Sequence, residues 1–188
     1  MKRGIIISVS GPSGVGKGTV IEKLREINPE FGFSVSATTR APREGEVEGE
    51  SYFFKTKEEF EALVEAGEII EYDEYVGNYY GTPAVPLAMM SDEGVDVLLD
   101  LTIPGSLILK EMFGDQAVTI FLNPPSFEEL EKRLTGRGTE AEEVVQKRLA
   151  EAENEIAEAD KFDYIVINDD LDQAVKEIMD IINKAKEE

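Results

Sequence analysis

The chain of 188 residues contains no cysteine and no histidine. Without cysteine it has no disulfide, no thiolate nucleophile and no thiolate zinc site, and without histidine it has no imidazole base and no imidazole metal ligand. Any general base is therefore a carboxylate, and any metal sits on oxygen. Cations are scarce as well: 19 Lys and Arg stand against 40 Asp and Glu, for a formal charge of −21. Such a balance excludes a nucleic-acid surface, which needs a basic face. No apolar run reaches the roughly 18 residues that a membrane span requires. Met1-Lys2-Arg3-Gly4 leads straight into an apolar strand pattern with no signal-peptide layout, so a cytoplasmic location is the expectation. The length suits one domain with a sizeable core and small insertions.

Against these absences stands one dense motif, Gly11-Pro12-Ser13-Gly14-Val15-Gly16-Lys17-Gly18-Thr19. It follows the apolar run Ile5–Val9 and precedes a helical pattern from Val20 to Ile27. Glycines let the backbone turn tightly with its N–H groups facing inward, where a phosphate meets no Cβ. Lys17 adds a cation for the β- and γ-phosphates, and the helix start adds its dipole. Gly18 occupies the place where the phosphate-loop pattern carries a magnesium-ligating hydroxyl, and Thr19 follows one residue later. The stretch predicts a nucleoside triphosphate site.

Apolar, β-branched runs recur at 5–9, 95–101, 118–122 and 164–167, mostly separated by helical patterns. They predict an α/β fold, a P-loop parallel sheet covered by helices on both faces. From about 34 to 82 the pattern changes to short alternating segments (33–39, 52–54, 69–75) and one helix opening on the capping box Thr56-x-x-Glu59, which predicts a small mixed lobe. Residues 126–160 read as charged helices. They open on Ser126-x-x-Glu129, break at Thr135-Gly136-Arg137-Gly138 and restart on Thr139-x-x-Glu142. A last helix, about 170–186, sets Leu171, Val175, Ile178 and Ile182 at core-facing spacing.

Five of the seven arginines, Arg40, Arg43, Arg133, Arg137 and Arg148, fall in motif-like segments. In so acidic a chain this grouping points to phosphate contacts, which arginine makes bidentately. Around Ser36–Glu46 two arginines flank a proline, and Tyr52 with Asn78-Tyr79-Tyr80-Gly81-Thr82 supplies phenolic and hydroxyl donors for a second phosphate. Glu71 is a carboxylate in an apolar strand pattern. Alone it reads as a solvated strand-face acid, although its chemistry also suits the adjacent N–H groups of guanine.

Taken together, the GPSGVGKGT loop, the Ser36–Glu46 run, Tyr52, Glu71 with Gly77-Asn78-Tyr79-Tyr80-Gly81, Gly136-Arg137-Gly138-Thr139 and Val166–Asp170 resemble the guanylate kinases over nearly the whole chain. The resemblance implies ATP- and magnesium-dependent phosphorylation of GMP (and dGMP) to GDP. It implies a core of 1–33, 83–125 and 160–188, a GMP-binding lobe of 34–82 and a helical lid of 126–159. Gly11, Ser13, Gly14, Gly16, Lys17, Gly18 and Thr19 would hold ATP, with Thr19 near magnesium and Asn168 near the adenine. Arg133, Arg137 and Arg148 would close from the lid beside Lys17. Arg40, Arg43, Tyr52 and Tyr80 would hold the GMP phosphate, and Glu46 is counted with them among the substrate-binding residues. Ser36, Glu71 and Thr82 would read guanine, with Asp100 beside the same pocket.

The pattern departs from the family in two places. Thr102 stands where the family places a carboxylate at the GMP pocket, and Ala37 replaces a larger side chain, which together predict reduced activity. The stretches 83–90 and 104–112 are unusually apolar. Leu107, Ile108 and Leu109 are consecutive and span about 200° of a helix, so they cannot all face one core; Val85, Leu87, Met89 and Met90 pose the same problem. The expectation is an exposed apolar surface for self-association or a protein partner, or else a deeply buried helix pair. The alternative function is accordingly a guanylate-kinase-like scaffold with weakened catalysis that holds a protein through this surface.

Overall fold

The four apolar runs become the four strands of one parallel sheet. The structure, a computed structural model, describes residues 2–75, 77–135 and 142–187. Along the chain the elements are β1 (Ile6–Ser10), α1 (Lys17–Ile27), β2 (Ala37–Thr38), β3 (Phe53–Phe54), α2 (Lys57–Glu65), β4 (Ile69–Tyr75), β5 (Asn78–Pro83), α3 (Ala84–Asp92), β6 (Val97–Asp100), α4 (Ile103–Phe113), β7 (Ala117–Asn123), α5 (Phe127–Thr135), α6 (Glu142–Ile156), β8 (Tyr164–Ile167) and α7 (Leu171–Glu187). The core sheet has the spatial order β6-β1-β7-β8, and a smaller sheet has the order β3-β2-β5-β4.

Every residue of β1 is buried, which is why it reads as a continuous apolar run instead of an alternation. Ile7 and Val9 pack with α1 and α7, whereas Ile6 points to the opposite cluster shared by α3 and α4. On α7 the predicted positions Val175, Ile178 and Ile182 are buried, with Leu171 at the rim. Each buried side chain of this kind contributes about 1.5–3 kcal/mol, enough to dock an otherwise polar helix. At the edge strand β8 the apolar run is not fully covered, and Ile165 and Ile167 remain exposed.

The apolar stretches divide as the helical geometry requires. Leu87 and Leu109 are buried in the common cluster, with Met90 and Phe113 packed against it, and Leu107 packs beside Ile103 and Phe121. Val85 and Met89 on α3, at 50% and 60%, and Ile108 and Met112 on α4, at 40% and 43%, stay exposed. The helix pair is thus buried on one face and apolar on the other, so a deeply buried pair is not what forms.

In the small lobe β2 pairs parallel with β3 and antiparallel with β5, and β4 pairs antiparallel with β5. The capping box of α2 forms in both directions: the Thr56 hydroxyl accepts from Glu59 N–H at 3.1 Å, and the Glu59 carboxylate accepts from Thr56 N–H at 2.8 Å. Phe60 of α2 packs with Ile69 and Ala37 beneath this sheet. Ala37 therefore belongs to the lobe's core. In the lid, Ser126 accepts from Glu129 N–H at 3.1 Å at the start of α5. Helix α5 is described as far as Thr135. The Gly136–Thr139 segment, and with it Arg137 and the third capping pattern, lies outside the described residues.

Candidate active site

The turn from β1 into α1 owes its shape to glycine. Gly14 and Gly16 have φ of 87° and 99°, in the left-handed region that side chains strain to adopt. Gly16 is also the N-cap of α1, whose first turn has neither a side-chain cap nor an acidic residue. Its free N–H groups and dipole are left for an anion. A cavity of about 810 Å³ opens there, bordered by Gly11, Ser13, Gly14, Gly16, Lys17, Gly18 and Thr19 among others. All the loop residues singled out in the sequence thus surround one space. A Cβ on Gly18 would meet nothing within 4 Å, so packing does not dictate the missing hydroxyl there, and Thr19 borders the cavity in its place.

Distant residues brace the loop. Asn168 Nδ2 donates to Val15 O at 2.8 Å, and Arg133 Nη1 donates to Val15 O at 3.3 Å and to Asn168 O at 3.0 Å. Neither side chain borders the cavity. Asn168, expected beside the adenine, is buried with its amide committed to the loop, and Arg133 likewise holds the loop from behind. Arg148 approaches from α6 and donates to Ser13 Oγ at 2.9 Å. Glu155 Oε2 accepts from Ser13 N–H at 3.3 Å, so a carboxylate rests on one of the loop's amides. Asn154, Glu155 and Glu158 wall the cavity and were not singled out in the sequence, where they sit in an unremarkable acidic run.

On the second sheet alternate residues share a face: Glu71 and Asp73 on β4, Tyr80 and Thr82 on β5. With Ser36, Asp100 and Thr102 they border a second cavity of about 260 Å³. Glu71 is not a solvated strand acid. Its Oε2 accepts from the N–H of Thr102 at 2.9 Å and also from the Thr102 hydroxyl. Asp73, in register with Tyr80, was missed; counting two residues along β4 from Glu71 would have found it.

The paired arginines differ in their surroundings. Arg40 is gripped bidentately by Glu46, Nη1 to Oε2 at 3.0 Å and Nη2 to Oε1 at 2.7 Å. Its guanidinium also lies 5.4 Å from the ring centroid of Tyr52, and Tyr52 meets Tyr80 edge-on at 6.0 Å. Glu46 Oε2 also accepts from Arg43 N–H at 2.7 Å, which leaves the exposed Arg43 side chain outside this bond. The Arg40 hydrogen bond, followed by the Arg43 backbone N–H, lowers the Glu46 carboxyl from 4.5 to about 2. The same pairing raises Arg40 above its ordinary value. Arg40 is thereby oriented before any ligand arrives.

The two cavities meet at Thr102, which borders both. Lys17 Nζ lies at the same junction, 2.8 Å from Asp100 Oδ1 and 3.3 Å from Leu101 O. Both sites therefore open at the carboxyl ends of β1 and β6, where parallel sheets place their ligands.

The guanylate kinase family matches residues 1–185. A guanylate kinase of Halalkalibacterium halodurans is 50% identical over 181 residues, covering 96% of this chain and 88% of its own. One of Parasynechococcus marenigrum is 51% identical over 172 residues, covering 92% and 94%. The crystal structure of guanylate kinase from Anaplasma phagocytophilum matches with a TM-score of 0.69 at 36% identity, across 100% of this chain and 89% of that one. The SH3-kinase fragment of tight junction protein 3 in its apo form matches with a TM-score of 0.50 at 14% identity, covering 98% of this chain and 58% of that one, a likeness of fold alone.

Proposed function

The chain belongs to the guanylate kinase family and converts GMP to GDP at the expense of ATP, and from that premise we propose how its residues divide the work. The core of 1–33, 83–125 and 160–188 takes ATP, the lobe of 34–82 takes GMP, and the lid of 126–159 closes over the donor. Loop amides from Gly11 to Thr19 and the Lys17 ammonium hold the triphosphate. Thr19, at the edge of the donor cavity, is the hydroxyl that would hold magnesium beside the phosphates. When bound, magnesium neutralises charge on the transferred group.

The GMP phosphate rests against Arg40, Arg43, Tyr52 and Tyr80, with Glu46 fixing Arg40 in place. Guanine is read by Ser36, Glu71 and Thr82, with Asp100 alongside. Arg148, already at Ser13, closes on the donor phosphates, with Arg137 assigned to the same task. Asn168 and Arg133 act by holding the loop, not by touching nucleotide. Phosphoryl transfer asks for positioning and charge neutralisation, which suits a chain without histidine or cysteine. The observation that carries this reading is the junction itself: a phosphate-loop cavity and a carboxylate-and-tyrosine cavity share Thr102, with Lys17 and Asp100 between them.

The intact loop with Lys17 favours catalysis over the scaffold alternative. The exposed Val85–Met89 and Ile108–Met112 pairs favour self-association through 83–90 and 104–112 as an added property; a single monomeric species in sedimentation at high concentration would remove it. A coupled ATP-consumption assay tests the main reading. Turnover is expected with GMP and dGMP and not with AMP or UMP, and turnover on AMP in the absence of turnover on GMP would overturn the acceptor assignment.

A further inference from the structure

Glu71 belongs to the lobe, yet its carboxylate ends on the core. Both hydrogen bonds it receives from Thr102 fall on one oxygen, Oε2. Thr102 is the N-cap of α4, and its hydroxyl oxygen also accepts from Gly105 N–H at 3.1 Å. The hydroxyl is thus oriented on both sides, its proton toward Glu71 and a lone pair toward the helix. Helix α4 has no acidic side chain in its own first turn, so Glu71 supplies the anion that its dipole favours.

Gly105 makes the contact sterically possible. A Cβ at that position would lie 2.1 Å from Glu71 Oε2. The first turn of α4 is also anchored to the core sheet. The N–H and hydroxyl of Ser106 both donate to Thr102 O, at 2.9 and 3.0 Å, and the buried Ser106 and Ser8 hydroxyls meet at 2.6 Å. Thr102 is therefore a fixed donor presented by the core to a side chain of the lobe.

We propose that Thr102, with the space left by Gly105, is the positioning residue for base recognition: it pins Oε2 of Glu71 against α4, so that Oε1 alone faces the acceptor cavity. Guanine presents adjacent donors at N1 and the exocyclic N2. A fixed Oε1 accepts from this edge in one orientation, while inosine monophosphate, which lacks the N2 amino group, loses part of the contact. This inference rests on the acceptor-site reading given above.

Steady-state kinetics with GMP and inosine monophosphate on four variants test it. Thr102→Val removes the hydroxyl at nearly constant volume, and Gly105→Ala forces the carboxylate away while adding a better helix former. Both are expected to raise KM for GMP about tenfold, the scale of a lost hydrogen bond to a charged group. Both should also narrow the preference for GMP over inosine monophosphate, with KM for ATP unchanged. Thr102→Ser, which keeps the hydroxyl, is expected to retain wild-type selectivity; selectivity lost equally in Ser and Val would overturn the role of the hydroxyl. Glu71→Ala separates the two levels. A raised GMP KM in Glu71→Ala, with wild-type KM and selectivity in Thr102→Val and Gly105→Ala, overturns the positioning alone. An unchanged KM in Glu71→Ala overturns the acceptor reading and this proposal with it.

Discussion

On the reading proposed above, the donor loop and the acceptor lobe hold their nucleotides by different physical means. The loop offers backbone N–H groups in a conformation set by Gly14 and Gly16 and braced from behind by Asn168 and Arg133. Side chains matter there chiefly as supports, apart from Lys17. The lobe does the reverse: its backbone is an ordinary mixed sheet, and the groups it would use are side chains, an arginine held by Glu46 near the Tyr52 ring and a glutamate bonded to Thr102. Backbone recognition is robust to single substitutions, whereas a side-chain clamp fails one residue at a time.

That contrast can be broken or sharpened by substitution. The largest effect is expected for Lys17→Ala, which removes the cation at the junction; kcat should fall about 100- to 1000-fold. Near-wild-type turnover would take Lys17 out of the chemistry. Arg40→Ala comes next, raising KM for GMP by about tenfold or more through loss of a charge-assisted contact, while KM for ATP stays put. A parallel rise in both KM values would show that the halves are not separate.

Glu46→Gln should do least, loosening Arg40 and raising KM for GMP severalfold. It also carries a pH signature. The Glu46 carboxyl is lowered from 4.5 to about 2 in the folded chain, so its contribution to stability is fully present above pH 4.5 and is lost as pH falls through about 2. The difference in melting temperature between wild type and Glu46→Gln should therefore be steady above pH 4.5 and shrink below it. A difference that stays constant down to pH 2 would contradict the pairing.

The same contrast explains what was legible in the sequence. The donor loop is contiguous, so nine residues and their strand–helix context sufficed to locate it. Strands β1 and β7 were visible because burial on both faces leaves an unbroken apolar run. The acceptor site draws on residues from Ser36 to Thr102, and pairwise contacts such as Glu71 with Thr102 depend on how the lobe sits over α4. Local spacing carries no sign of that. For the same reason Glu71 alone reads as a solvated acid, and local spacing shows neither the bracing of the loop by Asn168 nor the packing of Ala37 beneath Phe60. The apolar helices α3 and α4 were legible in part, because three consecutive aliphatic residues cannot share one helical face, but only the packed structure tells Ile108 from Leu109.

Titration calorimetry of Glu71→Ala with GMP, and separately with ATP, tests the division of labour most directly. Loss of the pinned carboxylate should weaken GMP binding about tenfold or more and leave ATP binding unchanged. Wild-type affinity for GMP in that variant would contradict the assignment of the acceptor site.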